Sequence, residues 1–262
     1  MKLICSENIE NATITSDNEN PLYPFSTALK DSRLSRYGRT SSESDTIIKF
    51  VYENAIDVDV VGLFGSNFTS DATVKIQANA TDVWTSPSLD QELVYTKDNK
   101  ASIDAGTDIG IWSYQFSSTE SYKFWRISIS DMGNIDGFFK VGYVFMDEGL
   151  VMPGMSVNQV FKIATNSKPT FSTSGQAYGL KRLQFNGASF NFPSVEDSEK
   201  KDIEKFYYKT DIITPYMMLV WENDLDIQKP LYVVNIKMPE FTRVEMQSGL
   251  AWTFDAEIRE VY

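Results

Sequence analysis

The sequence contains no histidine. That removes the usual general base near neutral pH, the Ser-His and Cys-His nucleophile pairs and the commonest zinc ligand. Any catalysis would rest on carboxylates, lysine or tyrosine. Cysteine is almost as scarce: Cys5 stands alone, which excludes an intrachain disulfide and a thiolate metal cage. Positive charge is short too, with 24 Lys and Arg against 36 Asp and Glu, a net charge of −12. Such an averaged field repels phosphate backbones and anionic lipid surfaces, so neither nucleic-acid binding nor membrane insertion is expected. No apolar run approaches the ~20 residues that span a bilayer, and the opening stretch turns polar too early, at Ser6, for a signal peptide. The expectation is a soluble protein made in a cytoplasm. Also missing are a phosphate-binding Walker loop, a dinucleotide-binding glycine fingerprint, a Gly-x-Ser-x-Gly elbow, a Cys-x-x-Cys pair and any repeat of fixed period. No cofactor is expected.

What is present is core-forming material. In 262 residues, 42% are hydrophobic and 13% aromatic, enough for two domains with separate cores. Alternation of period two recurs, the mark of strands with one face on a core. Over 72–78, Val74, Ile76 and Ala78 share one face while Thr73, Lys75 and Gln77 share the other. Trp125, Ile127 and Ile129 point inward in the same way, with Arg126, Ser128 and Ser130 outward. A further strand is expected over 139–145, and Asp131 to Gly137 between these two reads as the turn of a hairpin, since its glycines and short polar residues suit a tight connection. The oxygens of Asp131, Asn134 and Asp136 are hard enough for calcium, but their spacing does not match an EF-hand loop, and the turn reading is preferred over metal.

Gly149, Pro153 and Gly154 punctuate the chain and suggest a domain boundary. Beyond it come short strands near 160–164 and 183–192, then one helix over about 195–209. Ser194 is the expected cap with Asp197 three residues on, and Ile203, Phe206 and Tyr207 form the apolar stripe. Strands follow over 217–222, 231–238 and 252–261, the last with Trp252, Phe254, Ala256 and Ile258 facing in. The fold class is therefore mainly β. Strands, one helix and strands again describe a β-sandwich or barrel flanked by an α-helix.

Several groups carry a chemical reading beside a plainer one. Ser198 and Lys201 make a Ser-x-x-Lys pattern, but on an exposed helix face. Glu222, Asp224 and Asp226 supply paired carboxylates of the kind that hydrolyse glycosides, and equally an acidic turn after a strand. Lys30, Arg33, Arg36 and Arg39 recur every three residues around Tyr37, the one basic concentration in an acidic chain. Arginine forks there suit an acidic glycan or a phosphate-bearing polymer; the plainer reading is a solvated loop pairing with a neighbouring subunit. Trp84, between a strand and a proline, and Trp112 offer aromatic faces for sugar rings, against core or interface packing. The candidate binding residues are thus Tyr37, Arg39, Trp84 and Trp112, with no catalytic and no metal-ligating residue expected.

Three runs carry a resemblance: Leu22-Tyr23-Pro24 through Asp31-Ser32-Arg33; Val61-Gly62-Leu63-Phe64 through Asp71-Ala72; and Tyr122-Lys123-Phe124-Trp125-Arg126-Ile127 leading into Asn134 to Gly142. Together they resemble discoidin-type, galactose-binding-like jelly rolls, particularly those of tail proteins of tailed bacteriophages. The resemblance implies an N-terminal arm (1–21), a galactose-binding-like jelly-roll β-sandwich (22–150), and a second β domain (151–262) similar in outline to the tail-tube-like fold of distal tail and tube proteins. It implies a structural, non-enzymatic virion protein of the tail tip or baseplate, assembled as a homo-oligomeric ring with other tail proteins as partners. Contact with host surface glycans is the expected activity. A carbohydrate-binding receptor-recognition module without a scaffold role is the alternative.

Overall fold

A computed structural model describes residues 1–31, 33, 36–97, 110–154, 160–165, 170–171, 173–174, 177–178, 184–221, 228–246 and 249–261. The protein is mainly β, built from antiparallel sheets with three helices among the described residues, as alternation and composition indicate. Two compact units form, Met1–Val151 with Tyr216–Leu231, and Met152–Pro215 with Tyr232–Val261.

The first unit is organised by two long strands, β4 (Thr46–Phe64) and β8 (Gly110–Ser130). They run antiparallel from Thr46 opposite Ile129 to Leu63 opposite Trp112, with register shifts between Val51 and Ile56 and between Val58 and Val60. At those shifts Glu53, Asn54 and Ala55 are exposed and the ribbon turns a corner. Before the corner, β2 (Thr13–Ser16) joins β4, and β5 (Thr73–Asn79) joins β8, with β6 (Leu89–Glu92) beyond it. After the corner, β10 (Tyr143–Asp147) lies beside β4 and β7 (Val94–Lys97) beside β8. Inward residues of both halves meet in one cluster. Ile48, Phe50, Val74, Ile76, Trp125, Ile127 and Ile129 from the first half are all fully buried there, together with Val61, Leu63, Val144 and Met146 from the second. The folded-over ribbon is thus a two-layer β-sandwich.

Residues 1–21 are not an arm. β1 (Lys2–Ile4) pairs with β11 (Leu150–Val151) on one side and β16 (Tyr216–Trp221) on the other. α1 (Glu7–Asn11) lies against β10, where the Asn8 side chain donates to Asp147 at 3.1 Å. Leu3, Ile4, Ile9, Ala12 and Ile14 are buried, which ties the segment down. Lys2 Nζ meets Asp59, whose other oxygen accepts the Gly149 N–H at 2.9 Å.

The expected hairpin between 125–129 and 139–145 is not formed. β8 and β10 flank β4 on opposite sides, and Asp131–Gly137 carries the chain across. The reason lies at Phe139, which is fully buried and precedes a short separate strand, β9 (Lys140–Val141), paired to β3 (Gly38–Arg39). The crossing is held by its own side chains. Asp131 accepts from Thr69 N–H at 2.8 Å, Thr69 Oγ1 at 2.7 Å and Gly133 N–H at 3.2 Å, while Asn134 Oδ1 accepts the Asp136 N–H at 2.9 Å. Those oxygens are engaged as turn acceptors. Asp131→Ala, which strands three donors near the surface of the core, is expected to lower the stability of this unit by about 2 kcal/mol, measured as a reduced urea midpoint.

In the second unit β19 (Gly249–Glu260) is central. It pairs with β15 (Gln184–Val195), with residues 233–235 of β17 (Gln228–Asn235) and with β18 (Thr242–Met246). β12 (Val160–Thr165) continues the sheet beyond β15. Phe254, Ala256 and Ile258 are buried, as their alternation predicts. Helix α3 (Asp197–Thr210) buries Ile203, Phe206, Tyr207 and Thr210 at helical spacing. Its cap is Glu196, not Ser194: Val195 is fully buried and still paired with Trp252, so the strand runs on and the helix starts a residue pair later. The capping box is completed by Glu199, which accepts the Glu196 N–H at 2.8 Å.

Candidate functional site

The site is built around the β3–β9 pair. Glu19 Oε1 accepts the Phe25 N–H at 2.6 Å and so sets the start of helix α2 (Phe25–Ala28), whose first residue is fully buried. The Phe25 ring fills the space that a side chain at position 38 would need: a Cβ on Gly38 would lie 2.1 Å from Phe25 Cδ1. Glycine there lets β3 pass directly over the ring. Arg39 is then held along its backbone, its N–H donating to Tyr23 O at 3.0 Å and its carbonyl accepting the Asn20 N–H at 2.8 Å. Across β9, Gly38 faces Val141 and Arg39 faces Lys140. Buried Thr40 closes the arrangement, donating its N–H to Phe139 O at 2.9 Å and accepting the Phe139 N–H on Oγ1 at 2.7 Å. From a third element, Asn67 donates to Phe138 O at 2.9 Å and accepts the Lys140 N–H at 2.8 Å.

Five side chains from distant parts of the chain converge on this frame. The Tyr23 and Tyr37 rings stack with centroids 5.5 Å apart and planes 7° off parallel. Lys140 Nζ lies 5.3 Å from the Tyr37 centroid. The Arg39 guanidinium sits 3.7 Å from the Phe138 centroid and 5.6 Å from that of Tyr23. Tyr23 is exposed and the other four are half-buried, so the cluster is open to solvent while its backbone is fixed. Two cations against aromatic faces, presented from the β3–β9 pair, suit a planar or ring-shaped ligand with polar substituents.

Of the basic run, only Arg39 belongs to the cluster. Arg33 grips Asp31 through two contacts, at 2.8 and 2.6 Å, and Arg36 reaches the same carboxylate at 3.3 Å. The hydrogen bond from Arg33 holds the Asp31 carboxyl down at about 2. The small surface stabilisation this pairing lends is present above the ordinary carboxylate range and is lost as pH falls through about 2.

Trp84 lies elsewhere, over the outer face of β5 and β8. Arg126 stacks on its indole at 4.3 Å and donates to Gln77 Oε1 at 2.6 Å. The indole N–H donates to Asp82, and this hydrogen bond, ahead of the Lys49 contact at 3.3 Å, keeps the Asp82 carboxyl below the usual carboxylate range. Nothing among the described residues joins this group to Tyr37 or Arg39. One face of Trp84 is already taken by Arg126.

Trp112 is a correction. It is 2% exposed, packed against Phe68 and Tyr95 with centroids 6.4 and 5.2 Å away, and its indole nitrogen is buried. Sitting opposite Leu63 on β4 and Tyr95 on β7, it belongs to the core and offers no face to a ligand. The sequence missed Tyr23, Phe138 and Lys140 as site residues. Their only sequence signal is position within the three runs that carry the jelly-roll resemblance. The carboxylates Glu222, Asp224 and Asp226 lie outside the described residues. Ser198 and Lys201 are both exposed on α3. Among the described residues no group of three or more acidic or cysteine side chains is placed to hold a metal ion, and no helix is long and apolar enough to cross a membrane.

No protein-family model matches this chain, and no curated protein matches it. Among solved structures it is similar to the family 32 carbohydrate-binding module of C. perfringens NanJ in complex with galactose, at 13% identity and a TM-score of 0.40, covering 55% of this chain and 97% of that one. It is similar also to a chitosan-binding module 2, in complex with chitotriose, of a chitosanase/glucanase from Paenibacillus sp. IK-5, at 12% identity and TM-score 0.39, covering 54% of this chain and all of that one. Reduced XRCC1 bound to the DNA pol beta catalytic domain matches at 11% identity and TM-score 0.39, over 56% of this chain and 98% of that one. At such identities and scores the likeness stops short of any site.

Proposed function

We propose that this protein is a non-enzymatic saccharide-binding protein that acts by contact, and that its ligand lies on the Tyr23, Tyr37, Arg39, Phe138 and Lys140 cluster. The observation that carries the reading is the stacked tyrosine pair with a cation over each ring, fixed by β3, β9 and Asn67 but open to solvent. A sugar ring would pack its apolar face against the solvent-open aromatic surface of the cluster while its hydroxyls take hydrogen bonds from Arg39 and Lys140.

Tyr37→Ala is expected to weaken binding of the recognised saccharide by about tenfold or more, read by calorimetric titration after a glycan-array screen, because it removes one ring of the stack. Trp84→Ala, at the separate group, should leave that affinity unchanged. Equal affinity for Tyr37→Ala and the natural protein would overturn the assignment of the site.

The setting we propose is the tail tip or baseplate of a tailed-phage virion, with the chain repeated in a ring beside other tail proteins and touching host surface glycans. The three sequence runs that resemble phage jelly rolls support it. Antibody labelling of purified virions in negative stain tests it, and label found away from the tail would sink it. A free carbohydrate-binding module is the second reading; it rests on the same cluster and differs only in needing no ring.

A further inference from the structure

Arg39 and Lys140 stand directly opposite each other in the β3–β9 pair, so two like charges project from one face of it. Like charges so placed oppose the pairing. The chain has the means to relieve them, being net negative by 12 as a whole. Yet neither the Arg39 guanidinium nor the Lys140 ammonium makes a hydrogen bond or ion pair with any described residue, and Arg39 Nε is buried without a partner. No carboxylate among the described residues pairs with either cation: Asp31 is held by Arg33 and Arg36, Oε1 of Glu19 takes the Phe25 N–H and Oδ2 of Asp136 takes the Asn67 amide. A buried, unsatisfied donor opposite a second unpaired cation in the same strand pair is an arrangement that an incoming anion completes.

We infer that the cluster takes an anionic saccharide, one whose carboxylate or phosphate lies between Arg39 and Lys140 while its ring rests on the tyrosine stack. This deepens the saccharide-binding reading and depends on it. The planar Arg39 fork, 3.7 Å from the Phe138 centroid, suits a two-oxygen contact, and Lys140 adds a point charge from the partner strand. The acidic remainder of the protein discriminates against polyanions at large, so selectivity falls on short acidic sugars presented to this one spot.

The test uses the full chain and four probes: oligogalacturonate, a sialylated oligosaccharide, a sugar phosphate and a neutral galacto-oligosaccharide. The expected result is that an acidic probe binds at least about tenfold tighter than the neutral one, that the preference shrinks as salt is raised, and that Lys140→Gln removes it. Carboxylate and phosphate probes separate the two sources of charge. Lys140→Gln should also melt no lower than the natural protein without ligand, since it relieves the like-charge pair, and should lose the thermal shift that the acidic probe produces. Arg39→Lys, keeping charge without the fork, should retain part of the binding. If neutral and acidic probes bind alike, or Lys140→Gln keeps the preference, the anionic inference falls while saccharide binding stands. If no probe binds at all, the saccharide reading falls and takes this one with it.

Discussion

Trp125→Ala is expected to lower the stability of the first unit by about 4 kcal/mol, in the range for emptying a buried tryptophan site. Trp125 is fully buried, faces Phe50 on β4 and Ala78 on β5, and meets Tyr122 edge to face at 5.8 Å. Its indole N–H donates to Tyr122 O at 2.9 Å, so truncation also leaves a carbonyl at the corner of the ribbon without its donor. The small residue across β5 cannot expand to fill the void. Urea unfolding followed by far-UV circular dichroism measures the change. A loss below about 1 kcal/mol would mean that the sandwich core is not organised around this ring.

The second large effect falls on both fold and site. Gly38→Val places a branched side chain where the Phe25 ring already sits, the Cβ alone coming within 2.1 Å of Cδ1 and 2.8 Å of Cε1. Phe25 is fully buried and has nowhere to swing, so the strand must shift instead, at about 1–3 kcal/mol for overpacking. That shift carries Tyr37 and Arg39 with it. Saccharide affinity should fall by more than tenfold, beyond what the loss of stability explains at temperatures where the variant remains folded. Gly154→Val is the matched control, because a Cβ there meets nothing within 4 Å. Unchanged affinity in Gly38→Val would separate β3 from the site.

Local pattern carried a good part of the architecture. Alternation placed Val74, Ile76 and Ala78 of β5 and Phe254, Ala256 and Ile258 of β19 on their buried faces, because a half-exposed strand must repeat with period two. The helical stripe of Ile203, Phe206 and Tyr207 was equally legible, while its cap was misplaced because Val195 looks the same in a strand as in a helix approach. Pairing partners were another matter. Nothing local to Phe139 says that it follows a crossing and not a hairpin turn, since that depends on β3, about a hundred residues earlier, claiming the next strand. Trp112 shows the same limit from the other side: an aromatic residue on an alternating strand is core or platform according to what lies above it, here Phe68 and Tyr95. The candidate site was half visible. Tyr37 and Arg39 stood out by composition, but Tyr23, Phe138 and Lys140 reach them only through long-range pairing, which leaves no periodic trace.

The ribbon of β4 and β8 bears on how the protein is made. Residues that end up opposite one another along it are about 50 to 80 positions apart in the chain, so β4 leaves the ribosome well before its partner exists. During that interval a 19-residue strand rich in Val, Ile and Phe has no neighbour beyond short β2, and crowded synthesis favours its pairing with a sister copy. Weaker expression, which lowers the number of sister copies exposed at once, should therefore raise the yield of folded protein more than any substitution on the surface.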